Sequence, residues 1–356
     1  MDLSPFDFEL PEHLIALRPV EPRETARLLV VDRSGGLQDK RVSDLPELLA
    51  AGDTLVFNDT RVIPAALKAI RPARDETGRD VEVTINLAKP LAAPDTWHVL
   101  ARPGKRLRVG DQLHIADGFQ AEIIAKDNEG GISLRFSVAD GTLEDALARY
   151  GDMPLPPYIA RRRPADARDK VDYQTRFAGD EAASVAAPTA GLHFGPGMFE
   201  AFDAAGIRRE TARLHVGMGT FAPMTEGHWQ SGKLHSEWRE LSAQTAERLN
   251  AARRGGGRII PVGTTAMRTL ESAASAAGVL GAVSGPTDIF IRPGDTIRAT
   301  DGLVTNFHLP KSSLFMLVSA LMGTEIMQAA YAHAIREEYR FYSYGDACLL
   351  LSLIHI

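Results

Sequence analysis

The sequence predicts an α/β fold class, a discontinuous α/β main domain with an inserted small β-barrel domain. Three observations predict it. Arg27-Leu28-Leu29-Val30-Val31-Asp32 and Thr54-Leu55-Val56-Phe57 are continuous apolar runs, the pattern of strands buried on both faces. From about Val62 to Val138 the period becomes two: Val81, Val83, Ile85 and Leu87 alternate with Glu82, Thr84 and Asn86, and Ile132, Leu134, Phe136 and Val138 with Ser133, Arg135 and Ser137. After Met153-Pro154-Leu155-Pro156-Pro157-Tyr158 helical and strand patterns alternate again. These changes set the expected boundaries at residues 1–64 and 152–356 for the α/β domain and 65–151 for the insertion.

In order along the chain, the strand at 27–32 is turned back by Ser34-Gly35-Gly36. The strand at 54–57 runs into the polar cluster Asn58-Asp59-Thr60-Arg61, and Pro64 discourages its continuation. Within the insertion, further short strands are expected at Trp97–Ala101, Gln112–Ile115 and Phe119–Ile124, separated by Pro103-Gly104, Val109-Gly110 and Asp117-Gly118 turns. Strands at this spacing build a small barrel or sandwich. Thr142 is placed to cap a helix over Leu143–Tyr150, with Gly151 as its stop. Later helices are expected at Gly197–Ala205, Ser242–Arg254, Ala266–Ala277 and Ser312–Met322, and strands at Glu210–His215, Arg258–Val262 and Asp288–Ile291.

Composition narrows the class. The 356 residues suit roughly two domains. With 40 Lys plus Arg against 46 Asp plus Glu, the net charge is -6, which excludes a wholesale basic coat. Basic residues cluster locally: Arg61 to Arg108 holds ten Lys or Arg and five Asp or Glu, a net of +5, and Arg161-Arg162-Arg163 lies close to Tyr158. Such clusters read either as solvated surface or as a phosphate-tracking face with an aromatic for stacking. A single cysteine, Cys348, excludes a disulfide framework and multi-cysteine metal sites. The acidic start Met1-Asp2-Leu3-Ser4-Pro5-Phe6-Asp7 lacks a signal-peptide pattern, and the longest apolar stretch, Leu314–Met322, is too short for a membrane span. The expectation is a cytoplasmic protein without membrane contact.

Several polar constellations sit where strands end. Gly263-Thr264-Thr265 follows Arg258-Ile259-Ile260-Pro261-Val262 and opens a helix, so its hydroxyls and free N–H groups either cap the helix or hold an anion. It lacks the lysine and glycines of a Walker A loop. Asn58-Asp59-Thr60-Arg61 reads equally as ligand contacts at a strand's carboxyl end and as a turn closed by an Asp59–Arg61 pair. Thr305-Asn306-Phe307-His308-Leu309-Pro310-Lys311-Ser312 gathers an amide, an imidazole and an ammonium in one loop. His193, His215 and His235, the last beside Ser236-Glu237, are of a type suited to proton transfer. No histidine or cysteine spacing reads as a metal site.

These loops carry a resemblance. Asn58-Asp59-Thr60-Arg61-Val62-Ile63-Pro64-Ala65, Met153-Pro154-Leu155-Pro156-Pro157-Tyr158-Ile159, Tyr173-Gln174-Thr175 and Val185-Ala186-Ala187-Pro188-Thr189-Ala190-Gly191-Leu192-His193-Phe194 occur in order. Val262-Gly263-Thr264-Thr265, Thr287-Asp288-Ile289-Phe290-Ile291 and Thr305–Ser312 follow them. From residue 1 to Ala347 the chain resembles the S-adenosylmethionine:tRNA ribosyltransferase-isomerases of queuosine biosynthesis. The resemblance implies an α/β domain with an inserted barrel. It also implies transfer of the ribosyl portion of S-adenosylmethionine to 7-aminomethyl-7-deazaguanine at the tRNA wobble position, giving epoxyqueuosine, adenine and methionine. Such a reaction needs a base, an acid for the departing adenine and an anchor for the methionine carboxylate. It demands no metal or redox cofactor beyond S-adenosylmethionine as co-substrate.

Carried onto this chain, the resemblance makes His193, His215, His235 with Glu237, and Asp59 the candidates for acid, base or orienting carboxylate. Thr264, Thr265 and Arg268 are the candidates for the methionyl carboxylate or ribose, and Asn58, Arg61, Asn306, His308 and Lys311 for other substrate contacts. Tyr158, Arg161, Arg162 and Arg163 are the candidates for tRNA, and a monomer is expected. The competing readings are an RNA methyltransferase, which would yield S-adenosylhomocysteine, and a non-catalytic tRNA-binding protein. Two departures stand out. Ala266-Met267 replaces the family's more usual Ser or Thr then Val, and Cys348–Ile356 reads as a foreign tail, expected to perturb the last strand.

Overall fold

In a computed structural model, residues 2–127, 130–180, 182–217 and 225–352 are described. The chain opens with β1 (Arg27–Asp32), β2 (Leu37–Arg41), α1 (Leu45–Leu48), β3 (Thr54–Asn58) and β4 (Arg61–Val62). The period-two region forms β5 (Ala66–Arg71), β6 (Val81–Pro90), β7 (Thr96–Arg102), β8 (Gln112–Ala116), β9 (Phe119–Lys126) and β10 (Ile132–Val138). Next come α2 (Leu143–Tyr150), α3 (Pro157–Ala160), α4 (Asp169–Asp172), β11 (Ala182–Ser184), α5 (Gly197–Ala204), β12 (Arg208–Leu214), α6 (Glu226–Ser231) and β13 (Lys233–Leu241). The last third holds α7 (Ala243–Arg254), β14 (Ile259–Val262), α8 (Thr264–Ala273), β15 (Val283–Ile289), β16 (Gly302–Asn306), α9 (Ser313–Met322), α10 (Thr324–Arg336) and β17 (Ala347–Leu351).

The chain divides into two compact units. One comprises Met1–Thr60, Gln174–Asp180 and Pro188–Ile356, the other Arg61–Tyr173 and Glu181–Ala187. The first is built on a sheet of order β15-β13-β12-β3-β14-β16-β17-β1-β2. β12, β3, β14 and β16 run parallel, so their carboxyl ends emerge at one edge. β17 lies antiparallel to β16 and parallel to β1, which brings the segment before Ala347 to that same edge. The continuous apolar runs earn their place here: β3, β14 and β16 are buried along their whole length. Leu55 and Phe57 pack with Met198 and Phe202 of α5 on one face. Val56 packs with Ala246 and Leu249 of α7 and Leu270 of α8 on the other.

The second unit holds a closed barrel of order β10-β7-β6-β5-β8-β9. Its strands alternate buried and exposed residues, with Val81, Val83, Ile85 and Leu87 inside. Thr142 caps α2 as expected, accepting from Asp145 N while the Asp145 carboxylate returns to Thr142 N. This unit is wider than the 65–151 insertion, because Asp152 pairs back onto Ala66 through two backbone bonds and the chain stays with the barrel to Tyr173.

Some elements differ from expectation. The helix expected at Ala266–Ala277 begins two residues earlier, at Thr264, and stops at Ala273. The strand expected at Asp288–Ile291 is Val283–Ile289. β13 escaped the pattern because only Glu237 and Leu241 of its nine residues are buried. The supposed tail is corrected from Cys348 to Leu351. These residues belong to β17, an interior strand hydrogen-bonded to both β1 and β16, with Cys348, Leu349 and Leu350 buried. Among the described residues, no single helix is long and apolar enough to cross a membrane.

Candidate active site

Four parallel strands bring distant sequence motifs to one sheet edge. Asn58 ends β3 with Asp59-Thr60 after it, His215 follows β12, Gly263-Thr264-Thr265 follows β14, and Asn306 ends β16. Ligands of open α/β sheets collect at such carboxyl ends, where helix N-termini and loop side chains converge. Gly263 makes the β14–α8 turn with φ +96°, a conformation costly for any residue with a Cβ.

The buried core of this edge is a charge pair. Glu237 on β13 accepts from Gly217 N at 3.1 Å and from Arg268 Nη1 of α8. Arg268 is 4% exposed and Glu237 8%. Two further nitrogens of Arg268, Nε and Nη2, and the hydroxyl of Thr265 are buried without a hydrogen-bond partner. Two residues from separate candidate groups, Glu237 and Arg268, are thus direct partners.

His215 is half-buried. Its Nδ1 lies 2.9 Å from Thr60 Oγ1, and its ring stacks on Trp238 at 5.3 Å and 18°. Thr60 is itself fixed, its N–H donating to Asn58 Oδ1. Asp59 does not close a turn with Arg61. Instead it takes a bidentate pair from Arg213 Nε and Nη2, each at 2.9 Å. Arg213, Gly217 and Trp238 were missed by sequence reasoning. Arg213 and Trp238 lie on strands whose partners are set only by pairing, and Gly217 contributes a backbone N–H that no residue type announces.

Other candidates are bound into the framework. His193 is buried with Nδ1 3.0 Å from Ala190 O and Nε2 2.8 Å from Gly345 O, so both ring nitrogens are engaged by carbonyls. Asn58 ties β3 to β12, donating to Leu214 O and accepting from Leu214 N. Asn306 donates to Tyr342 O and accepts from Thr189 Oγ1. His308 is buried beside Tyr331, which accepts its N–H, and its Nε2 meets Thr305 Oγ1 at 3.1 Å. Burial lowers its pKa to about 3, so the ring is neutral near pH 7. Lys311 is exposed and pairs with Asp7 at 2.8 Å. His235 is exposed and meets His228 edge-on at 4.8 Å, while Glu237 is engaged elsewhere.

In the barrel-containing unit, Arg61 is exposed on β4, Tyr158 is half-buried on α3, and Arg161 and Arg162 are exposed just after it. Arg163 differs. Its guanidinium is bidentate on the fully buried Asp169, both contacts 2.7 Å. Among the described residues no group of three or more His, Cys, Asp or Glu is placed to hold a metal ion.

A family profile described as queuosine biosynthesis protein matches residues 3–350. The chain belongs to the queuosine biosynthesis family. The S-adenosylmethionine:tRNA ribosyltransferase-isomerase of Hyphomonas neptunium is 62% identical over 351 residues, covering 99% of this chain and all (100%) of that protein. The protein of the same name from Maricaulis maris is 55% identical, covering 98% and 99%. A crystal structure of S-adenosylmethionine tRNA ribosyltransferase from Thermotoga maritima superposes with a TM-score of 0.54 at 31% identity, covering 98% of this chain and 100% of that one. For a queuosine biosynthesis family member, the match to residue 350 agrees with β17 being native sheet rather than an appendage.

Proposed function

We propose that this protein transfers and isomerises the ribosyl portion of S-adenosylmethionine onto 7-aminomethyl-7-deazaguanine at the tRNA wobble position. The products are epoxyqueuosine-tRNA, adenine and methionine. The observation that carries the reading is kinship along nearly the whole chain with proteins bearing that enzyme's name. The polar groups at the carboxyl edge of the sheet supply chemistry of the required kind.

A sulfonium acidifies the adjacent ribose C5′ hydrogens. Removal of one by a base breaks the C4′–O4′ bond, and the freed oxygen becomes a C1′ carbonyl as adenine leaves and takes up a proton, giving an open-chain unsaturated sulfonium. The substrate amine adds at C4′ and gives up its proton, the C5′ carbanion so formed closes onto C1′ to make the carbocycle, and the C1′ alkoxide displaces methionine from C5′ as the epoxide closes. His215 is our choice for the proton-transfer group, because Thr60 orients its Nδ1 and Trp238 supports its face. Asp59, locked to Arg213, sets the local charge. His193, Asn58, Asn306 and His308 position the loops around them. The enzyme works as a monomer in the cytoplasm, on tRNA and S-adenosylmethionine, and exposed Arg161 and Arg162 meet tRNA phosphates.

The test is incubation of the purified protein with S-adenosylmethionine and tRNA carrying 7-aminomethyl-7-deazaguanine, followed by mass spectrometry. Equal amounts of adenine and methionine with a ribosyl-derived mass gain on the nucleoside are expected. S-adenosylhomocysteine would instead mean methyl transfer, and tRNA binding without adenine release a binding protein. His215→Ala should slow single-turnover adenine release by ~100-fold or more. An unchanged rate removes His215 from the chemistry.

A further inference from the structure

Arg268 is a buried cation with much of its donor capacity unused. Nη1 is held by Glu237, which Gly217 N anchors from its other oxygen. Nε and Nη2, the two without partners, form the side-on edge of the guanidinium plane. That edge is a two-pronged donor matched to the two oxygens of a carboxylate. Three residues earlier on the same face of α8, Thr265 carries a hydroxyl that is also buried and unpartnered. It sits beside Gly263, where an added Cβ would come 3.6 Å from Thr265 Oγ1 and 3.5 Å from Ala190 Cβ. The first-turn N–H groups of this ten-residue helix add positive potential at the same place. Buried polar groups are normally satisfied. Three unsatisfied ones at one helix start fit a site completed by an acceptor from outside the chain.

We infer that this site seats the α-carboxylate of the methionyl end of S-adenosylmethionine, bidentate on Arg268 Nε and Nη2 and capped by Thr265 Oγ1. The assignment rests on the reaction proposed above and adds the anchor at the end of the co-substrate remote from the ribose. A planar terminal group can enter a site whose arginine is 4% exposed, whereas a phosphate within a polynucleotide cannot leave its neighbours behind to do so. Glu237 is then a positioning residue: it fixes the rotation of the guanidinium and cancels its charge. The incoming carboxylate is balanced by the helix N-terminus and by the ligand's own ammonium and sulfonium. Gly263 supplies the left-handed turn, φ +96°, that opens α8.

Calorimetry on the full chain, with S-adenosylmethionine and with its decarboxylated analogue, tests the assignment. The wild type should bind the analogue at least about tenfold more weakly, since the analogue leaves the fork unpaired. Arg268→Lys keeps the charge and loses the fork. It should weaken S-adenosylmethionine about tenfold, leave the analogue nearly unaffected, and raise KM more than it lowers kcat. Thr265→Val, nearly isosteric, should give a smaller loss in the same direction with the fold intact. Equal binding of the two ligands by the wild type overturns the inference. So does an equal loss for both ligands in the two variants, or an Arg268→Lys defect confined to tRNA binding. Adenine release without discrimination would sink the carboxylate seat and keep the reaction. Discrimination without adenine release would do the reverse.

Discussion

His308 illustrates how burial decides what a polar residue does. Its motif is rich in functional groups, yet the ring lies beside Tyr331 and Thr305 with its pKa lowered to about 3 by desolvation. The unfolded ring titrates near 6.5, so between pH 6.5 and 3 the unfolded chain binds a proton that the folded chain refuses. Stability from the neutral ring is complete above pH 6.5 and is lost as pH falls toward 3. At pH 5 the loss is about 2 kcal/mol. His308→Gln keeps a group able to bond Thr305 without the titration. Urea unfolding at pH 7 and pH 5 should show a decline smaller by about that amount than in the wild type, and an unchanged decline would remove His308 as its source. Residue type alone marked His193, Asn58 and Asn306 as candidates for the same reason it marked His308. A side chain aimed at a ligand and one aimed at a nearby backbone carbonyl look identical in a one-dimensional string.

At the scale of elements, strand direction is what makes an edge. Because β12, β3, β14 and β16 are parallel, motifs near residues 58, 215, 264 and 306 converge from opposite ends of the chain. β17 shows the converse risk of reading a segment by its flavour. Cys348–Ile356 looked like a foreign tail, but Cys348–Leu351 belong to an interior strand flanked on both sides, which is expected to be apolar throughout. Cys348 reports on it directly, since burial pushes its thiol well above the ordinary value and leaves it inaccessible. Reaction with a disulfide reagent should be at least ~1,000-fold slower in the native protein than in guanidinium, the rate following opening of the sheet. Rapid labelling under native conditions would show that β17 is not docked between β1 and β16.

For the whole molecule, the uneven distribution of charge matters more than its total. A chain of net charge -6 carries a +5 segment between Arg61 and Arg108 and exposes Arg161 and Arg162 beyond it. If the latter two meet tRNA phosphates, replacing both by Gln should weaken tRNA binding and flatten the dependence of log K on log salt by about 0.7 to 0.9 for each phosphate no longer neutralised. An unchanged slope would place the tRNA elsewhere. Arg163→Gln should behave differently, because it removes the guanidinium that is bidentate on the buried Asp169 carboxylate. A loss of stability of about 3 kcal/mol or more is expected, seen as a fall in Tm before any effect on tRNA. Three adjacent arginines in sequence thus separate into two surface cations and one internal tie.

The sequence by itself determined the apolar strands β1, β3 and β14 and the switch from buried α/β strands to a barrel, because hydrophobic period is a local property written into consecutive residues; it left β13, β16, β17 and α10 unread. It also held the family motifs and the start of α8 to within two residues. Only the tertiary structure decided which polar residues face inward, that Glu237 grips one arm of Arg268 while Nε and Nη2 are buried without partners, that Asp59 belongs to Arg213, and that Arg163 belongs to Asp169. Those pairings depend on strand order and register, which follow from the burial of the whole chain and leave no signature in the spacing of any one segment.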